Sequence, residues 1–185
     1  MPRNVNGATP VARSAAKRES VSVSTRAATL QDVAAITDIF NQGVEDKVAT
    51  LDGRHTLAQR LAWFKDHKSL EPVIVAEKSG QVLGWASLSK YSQRECFDLV
   101  KELSIYVQRD WRSKGVGDTL MKALLERGTE LGVHKVLLFV FPANQHAIAL
   151  YRKHGFVKVG VFHQHGFRDG EWLDSMAMER VLTPS

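Results

Sequence analysis

At 185 residues, 44% of them apolar, the chain is long enough for one domain with a substantial core and too apolar to be disordered throughout. No run of 18 or more apolar residues occurs, which excludes a spanning helix and a membrane partner of that kind; the single cysteine, Cys96, excludes a disulfide framework or a cysteine-based metal centre and fits the cytoplasm. The net charge is +5, but Arg3, Arg13, Lys17 and Arg18 against Glu19 concentrate it in residues 1–24, so the remainder lacks the clustered basic face a nucleic-acid partner needs.

In chain order, residues 1–24 are rich in Ser, Ala, Arg and Asn and hold no apolar run. They are expected to form a disordered leader ahead of a domain spanning 25–185, with an organelle transit peptide as the alternative. Thr29 opens a helical pattern, with Asp32 in its first turn and Val33, Ile36, Phe40 and Val44 at helical spacing. Thr56-Leu57-Ala58-Gln59 is a capping-box pattern, and Leu57, Leu61 and Phe64 are expected to form the inner face of a second helix. Val73–Glu77 and Val82–Leu88 read as a hairpin turning through Lys78-Ser79-Gly80-Gln81. Glu102–Val107 is a further strand. Val116–Leu131 is a helix closed by Gly132. Val136–Phe141 is a strand, and Asn144–His154 a helix ending at Gly155. Val157–Phe162 and Trp172–Leu182 form a closing strand pair joined through Gly166 and Gly170. This order predicts a single α/β domain with a mixed sheet.

The sharpest local signal is Arg112-Ser113-Lys114-Gly115-Val116-Gly117, between a strand and a helix. Glycines let the main chain approach an anion, the first helical N–H groups have no partner within the helix, and Arg109, Arg112 and Lys114 add positive charge. A pyrophosphate cradle is one reading, and an ordinary glycine turn with solvated basic residues is the other. The segment lacks the Gly-Lys-Ser/Thr of a Walker-A loop and the Gly-x-Gly-x-x-Gly of a dinucleotide fold.

Arg112-x-x-Gly115-x-Gly117 resembles the acetyl-CoA signature of the GNAT acetyltransferases. Asn144-x-x-Ala147-x-x-Leu150-Tyr151-x-Lys153-x-Gly155-Phe156 resembles that superfamily's second signature, in the same order. Within it the chain is similar to the phosphinothricin and methionine sulfoximine acetyltransferase group, through Glu102-Leu-Ser-Ile-Tyr106-Val107 and through Gly166-Phe167-Arg168-Asp169-Gly170-Glu171-Trp172-Leu173-Asp174. The resemblance spans about residues 24–182. It implies a GNAT-type α/β (α+β) domain whose central, mostly antiparallel sheet is flanked by helices. It also implies an enzyme that uses acetyl-CoA and no metal, and a homodimer.

The resemblance assigns roles residue by residue. Glu102 is the candidate base that takes the proton of the attacking amine; a surface charge pair with Lys101 is the plainer alternative. Tyr151 is the candidate acid at the departing sulfur, with packing of helix on sheet as its alternative. The main chain of Ile105, Tyr106 and Val107 is expected to hold the pantetheine arm, and residues 112–117, that is Arg112, Ser113, Lys114, Gly115, Val116 and Gly117, the pyrophosphate. Asn144 is expected to bond the cofactor arm or to cap its helix. Acceptor contacts are expected from Ser87, Leu88, Ser89, Tyr91 and Arg94. Tyr91-Ser92 stands where the group often has Trp-Arg, and Glu95 and Asp98 favour a cationic acceptor. The loop Glu45–Asp52 also departs from the group's aromatic, threonine-rich form. His163-x-His165 puts two imidazoles on one strand face with no third ligand evident, so no metal is expected. The expected function is acetyl transfer to the amine of a small amino-acid-like molecule. A protein N-terminus or other amine is the alternative acceptor, and a non-catalytic acetyl-CoA-binding module the alternative class.

Overall fold

The computed structural model describes residues 23–47, 50–67 and 69–182. Nearly all of the expected leader therefore lies outside the described residues. The elements are β1 (Ser24–Ala27), α1 (Val33–Glu45), α2 (Leu57–Asp66), β2 (Val73–Lys78), β3 (Gln81–Lys90), β4 (Val100–Val107), α3 (Val116–Glu130), β5 (Lys135–Val140), α4 (Gln145–Lys153), β6 (Val157–Arg168) and β7 (Glu171–Val181). Seven strands form one sheet in the order β1-β2-β3-β4-β5-β7-β6. Only β4 and β5 run parallel; every other neighbouring pair is antiparallel. Among the described residues no helix is long and apolar enough to cross a membrane.

The sheet separates two cores. On one side Leu120, Met121 and Leu124 of α3 and Ile148 of α4 pack on Leu83, Leu88, Leu103, Val136 and Leu138. On the other, Ile36, Ile39 and Phe40 of α1 pack on Val73, Val75 and Trp85. Burial on this scale is the main driving force for the layered arrangement. Ahead of α1, the Asp32 carboxylate accepts from the Thr29 N–H at 2.7 Å and from Arg26 at 2.7 and 2.9 Å. The Arg26 guanidinium holds that carboxyl down at about 2.

Three expectations change. The strand β1 is absent from the sequence reading because its four residues show no alternation; main-chain pairing with β2 creates it, and Val23 packs against the core. The capping box of α2 forms, with the Gln59 N–H donating to Thr56 Oγ1 and the Thr56 N–H to Gln59 Oε1. Its buried face is turned, however. Leu57 is 54% exposed, whereas Arg60 is 3% exposed, its guanidinium 4.1 Å from the Phe40 ring centre and 4.6 Å from that of Trp63. Aromatic faces can receive a guanidinium, so a polar residue takes the inner position. Gly166 lies inside β6, not at the turn, which is made by Asp169 and Gly170 at φ 53° and 87°.

Candidate active site

β4 and β5 pair only from Val100↔Lys135 to Glu102↔Leu137, although they run on to Val107 and Val140. Beyond Glu102 the two strands splay, and the main-chain groups of β4 facing β5 lose their strand partner. A cavity of about 350 Å³ fills the wedge. Ile105, Tyr106 and Val107 line it from β4, Phe139 and Val140 from β5, Asn144, Ala147, Leu150 and Tyr151 from the α4 segment, and Arg112 and Ser113 from the mouth.

The mouth is the turn before α3. Ser113 and Gly115 adopt φ 59° and 86°, and Gly115 is the N-cap residue of the helix. The unpaired N–H groups of the first turn are thus presented at the end of the wedge. At Gly117 a Cβ would lie 3.2 Å from Leu150 Cδ2, so its bare Cα also lets α3 sit close to α4. The basic residues are organised by Asp46, which accepts from Arg109 Nη2 at 2.7 Å and Arg112 Nη1 at 2.5 Å. Arg109 and then Arg112 hold the Asp46 carboxyl below its ordinary range. Arg112 also donates through Nε to the Val107 carbonyl, 3.1 Å away, at the end of β4. Lys114 instead lies over the Trp111 ring. Asn144 caps α4, accepting from the Ala147 N–H at 3.1 Å.

A second cavity, of about 260 Å³, adjoins the first and shares Ile105, Tyr106, Phe139, Val140 and Tyr151 with it. Its own polar lining is Thr50, Asp52, Glu102, Ser104, His165 and Ser175. Lys101, one residue from Glu102, turns to the opposite face and pairs with Glu71 at 3.3 Å, so the simple surface pair does not form. Burial first, and Asp52 second, push the Glu102 carboxyl upward. Tyr151 is 7% exposed, and burial raises its phenol; the Tyr106 phenol is pushed up to about 12, mainly by burial. Both phenols are therefore protonated at neutral pH and able to donate.

None of the five expected acceptor residues lines either cavity. Ser89 stands opposite Glu102 in the β3–β4 register and Ser87 opposite Ser104, yet neither lines the cavity. Leu88 is core, packed towards Gly128 of α3 on the other side of the sheet. Tyr91 and Arg94 lie in the loop after β3, both against Phe97. Asp98 pairs with Lys90 at 3.3 Å, and neither it nor Glu95 reaches the cavity. Sequence reasoning missed Thr50, Asp52 and Ser175 and weighed His165 only as a metal ligand; the unusual Glu45–Asp52 loop was the one signal available for the first two. The two histidines of the last hairpin diverge. A bulge with Gln164 at φ 51° sends His163 Nδ1 to Asp174 Oδ2, 2.8 Å away, and leaves His165 stacked on Phe162 at the cavity. Larger cavities of about 410 and 690 Å³ elsewhere do not include Glu102 or Tyr151.

Comparison with known proteins agrees with this geometry. A family model described as "Acetyltransferase (GNAT) family" matches residues 34–156, the span containing the wedge, the glycine turn and α4. An L-methionine sulfoximine/L-methionine sulfone acetyltransferase of Pseudomonas paraeruginosa is 36% identical over 169 residues, covering 89% of this chain and 98% of that protein. The crystal structure of a GNAT superfamily phosphinothricin acetyltransferase from Sinorhizobium meliloti in complex with acetyl-CoA superposes with a TM-score of 0.81 at 31% identity, covering 86% of this chain and 88% of the other. A ribosomal-protein-alanine N-acetyltransferase from Brucella melitensis superposes with a TM-score of 0.82 at 35% identity, covering 85% and 98%. With its family model matched across most of the chain, this protein belongs to the acetyltransferase (GNAT) family.

Proposed function

We propose that the protein transfers acetyl from acetyl-CoA to the primary amine of a small amino-acid-like acceptor, of the kind named for its phosphinothricin and methionine sulfoximine relatives. The observation that carries this reading is the meeting of two cavities over one strand end, with Tyr151 on both and Glu102 on the second. The splayed wedge fits a pantetheine arm laid along the main chain of Ile105, Tyr106 and Val107. The turn from Arg112 to Gly117 fits a pyrophosphate, with Asn144 beside the arm. A main-chain N–H of β4 aimed at the thioester oxygen is suited to polarise it.

In the transfer, Glu102 accepts a proton from the arriving ammonium. The neutral nitrogen attacks the thioester carbon, the C–N bond forms and the C–S bond breaks. The departing sulfur takes a proton from Tyr151, giving free CoA thiol and the N-acetyl product. The raised Glu102 pKa suits it to receive a proton near neutral pH. Of the segment around β3, Ser89 beside Glu102 and the exposed Tyr91–Arg94 loop are the parts available to an acceptor. A protein N-terminus is the second reading, supported by the Brucella neighbour's name; the 260 Å³ volume favours the small molecule. A non-catalytic binding module has no use for Glu102 and Tyr151 in one cavity. We also propose a homodimer and a cytoplasmic setting. β6 is an edge strand, and Val157, Val159, Phe162, Phe167 and Trp172 on this hairpin are exposed, a patch suited to a second copy. The test of the activity is thiol release from acetyl-CoA with the purified protein and a panel of amino acids, methionine sulfoximine, phosphinothricin and short peptides. Stoichiometric N-acetyl product supports the proposal, and no turnover with any amine overturns it.

A further inference from the structure

We infer that Arg168 reads an acidic side group on the acceptor, a carboxylate or phosphinate set several bonds from the amine, and that the cavity of about 690 Å³ beside it receives that end of the molecule. The inference rests on the acetyl-transfer reading and narrows its acceptor class. The larger cavity joins the site from the side of the last hairpin. It shares Phe141 with the cavity of Glu102, and Asn144 and His146 with the wedge. Arg168 lines it and stands at the partition. Its Nη1 donates to the Thr50 carbonyl and its Nη2 to the Lys47 carbonyl at 3.3 Å, and its Cζ lies 5.5 Å from the Phe141 ring centre. Of these three partners Thr50 lines the smaller cavity, Lys47 the larger and Phe141 both.

A guanidinium in this place suits an oxyanion. Its N–H groups form a planar fork, and the two carbonyls occupy only part of it. The side chain is 16% exposed, so its charge acts in a partly desolvated space. Among the described residues its one ion-pair contact is Asp169, at 3.8 Å, and the same carboxylate oxygen lies 2.6 Å from Lys47 Nζ. The other carboxylates nearby are occupied. Asp174 of the larger cavity accepts from the Gln164 N–H at 2.9 Å and pairs with His163. Asp52 of the smaller cavity is exposed and feels the buried Arg60 guanidinium. Glu102 is left for the amine. Arg109 and Arg112 are held by Asp46, and Arg94 lies against Phe97 outside both cavities. Arg168 does not line the cavity of Glu102 itself. A group on the carbon that bears the amine therefore falls short of it, whereas one at the end of a short side chain reaches it. Phe141 and Leu173 offer apolar walls to the methylenes between.

The experiment compares kcat/KM, read as thiol release, within pairs matched in shape and differing in side-group charge: phosphinothricin against methionine sulfone, and glutamate against glutamine. The α-carboxylate is common to both members of each pair. The proteins are the full chain, Arg168→Gln and the conservative Arg168→Lys. The wild type should favour the anionic member of each pair by about ten- to hundredfold, the range of a charge-assisted contact. Arg168→Gln should bring both ratios close to one, and Arg168→Lys should keep a reduced preference. A purely structural role for Arg168 would lower both members together and leave the ratios unmoved. Turnover without preference for the anionic members, or a preference that survives in Arg168→Gln, overturns the inference and leaves acetyl transfer standing. Silence of these four acceptors while another amine is acetylated does the same. Silence of every amine overturns the transfer reading and this inference together. Should Arg168→Gln not fold, Arg168→Lys decides: an undiminished ratio there overturns the inference, because an ammonium cannot form the fork.

Discussion

The proposed donor wedge and the proposed acceptor cavity share a wall but are built in different ways. The wedge draws on contiguous stretches, 105–107, 112–117 and 144–151, and works largely through the main chain: splayed strand edges, a left-handed turn and a helix N-terminus. The acceptor cavity gathers single side chains from loop, strand and hairpin, at 50–52, 102–106, 139–141, 165 and 175. Main-chain devices tolerate much side-chain variation, which lets a common donor be kept while the acceptor changes. Side chains collected from distant segments can be replaced one at a time, which is how specificity diverges on one fold.

The contrast is most easily broken at the shared wall. Glu102→Gln should lower kcat/KM by about 10²–10⁴-fold with CoA affinity unchanged, because only the proton acceptor is lost. The sign of the pH dependence follows from burial and Asp52 raising the Glu102 pKa. As the proposed base, Glu102 is competent above that raised value, so kcat/KM should fall as pH drops through it, and Glu102→Gln should lack this acidic limb. A pH–rate profile of both proteins with one good acceptor checks it. An identical limb in the variant assigns the proton to another group.

Tyr151→Phe comes next. Its ring packing remains and only the phenolic proton goes, so kcat should fall by about 10²-fold, near the lower bound for an acid catalyst. Acetyl-CoA affinity measured by calorimetry should hardly move. An unchanged rate would mean that water protonates the sulfur. At the mouth of the wedge, Ser113→Asp sharpens the comparison from the donor side. Aspartate tolerates the left-handed backbone of residue 113 and places a negative charge beside the expected pyrophosphate. CoA affinity should drop about tenfold with the melting temperature nearly unchanged. Gly117→Glu is less discriminating, since its side chain collides with Leu150 and disturbs α3–α4 packing as well. The smallest effect concerns neither cavity. A chain beginning at Val23 should keep the full kcat and melting temperature, whereas one beginning at Thr25 should melt lower, because Val23 packs on the core and Ser24 opens β1.

Several elements were legible from local chemistry. The Ser79-Gly80 turn and the hairpin around it, the Thr56 capping box, the helix opening at Val116 and the Asn144 cap each depend on residues close in sequence. Others were not. Leu57 and Arg60 exchange inside and outside because three aromatic rings from α1, α2 and β3 receive the guanidinium. His163 and His165 separate because a bulge anchored by Asp174 breaks the period of two.

The sequence by itself determined the family, and it is the source of the proposed donor signature and of the candidate pair Glu102 and Tyr151. Those rest on short-range patterns in which turn, cap and strand edge are written by neighbouring residues. Tertiary structure alone decided the lining of the proposed acceptor cavity. Asp52 and His165 stand 113 positions apart by their numbers and meet only because the loop after α1 and the bulged β6 close over the splayed end of β4. No local periodicity records such a meeting, because it is fixed by how separate elements pack on the two faces of one sheet.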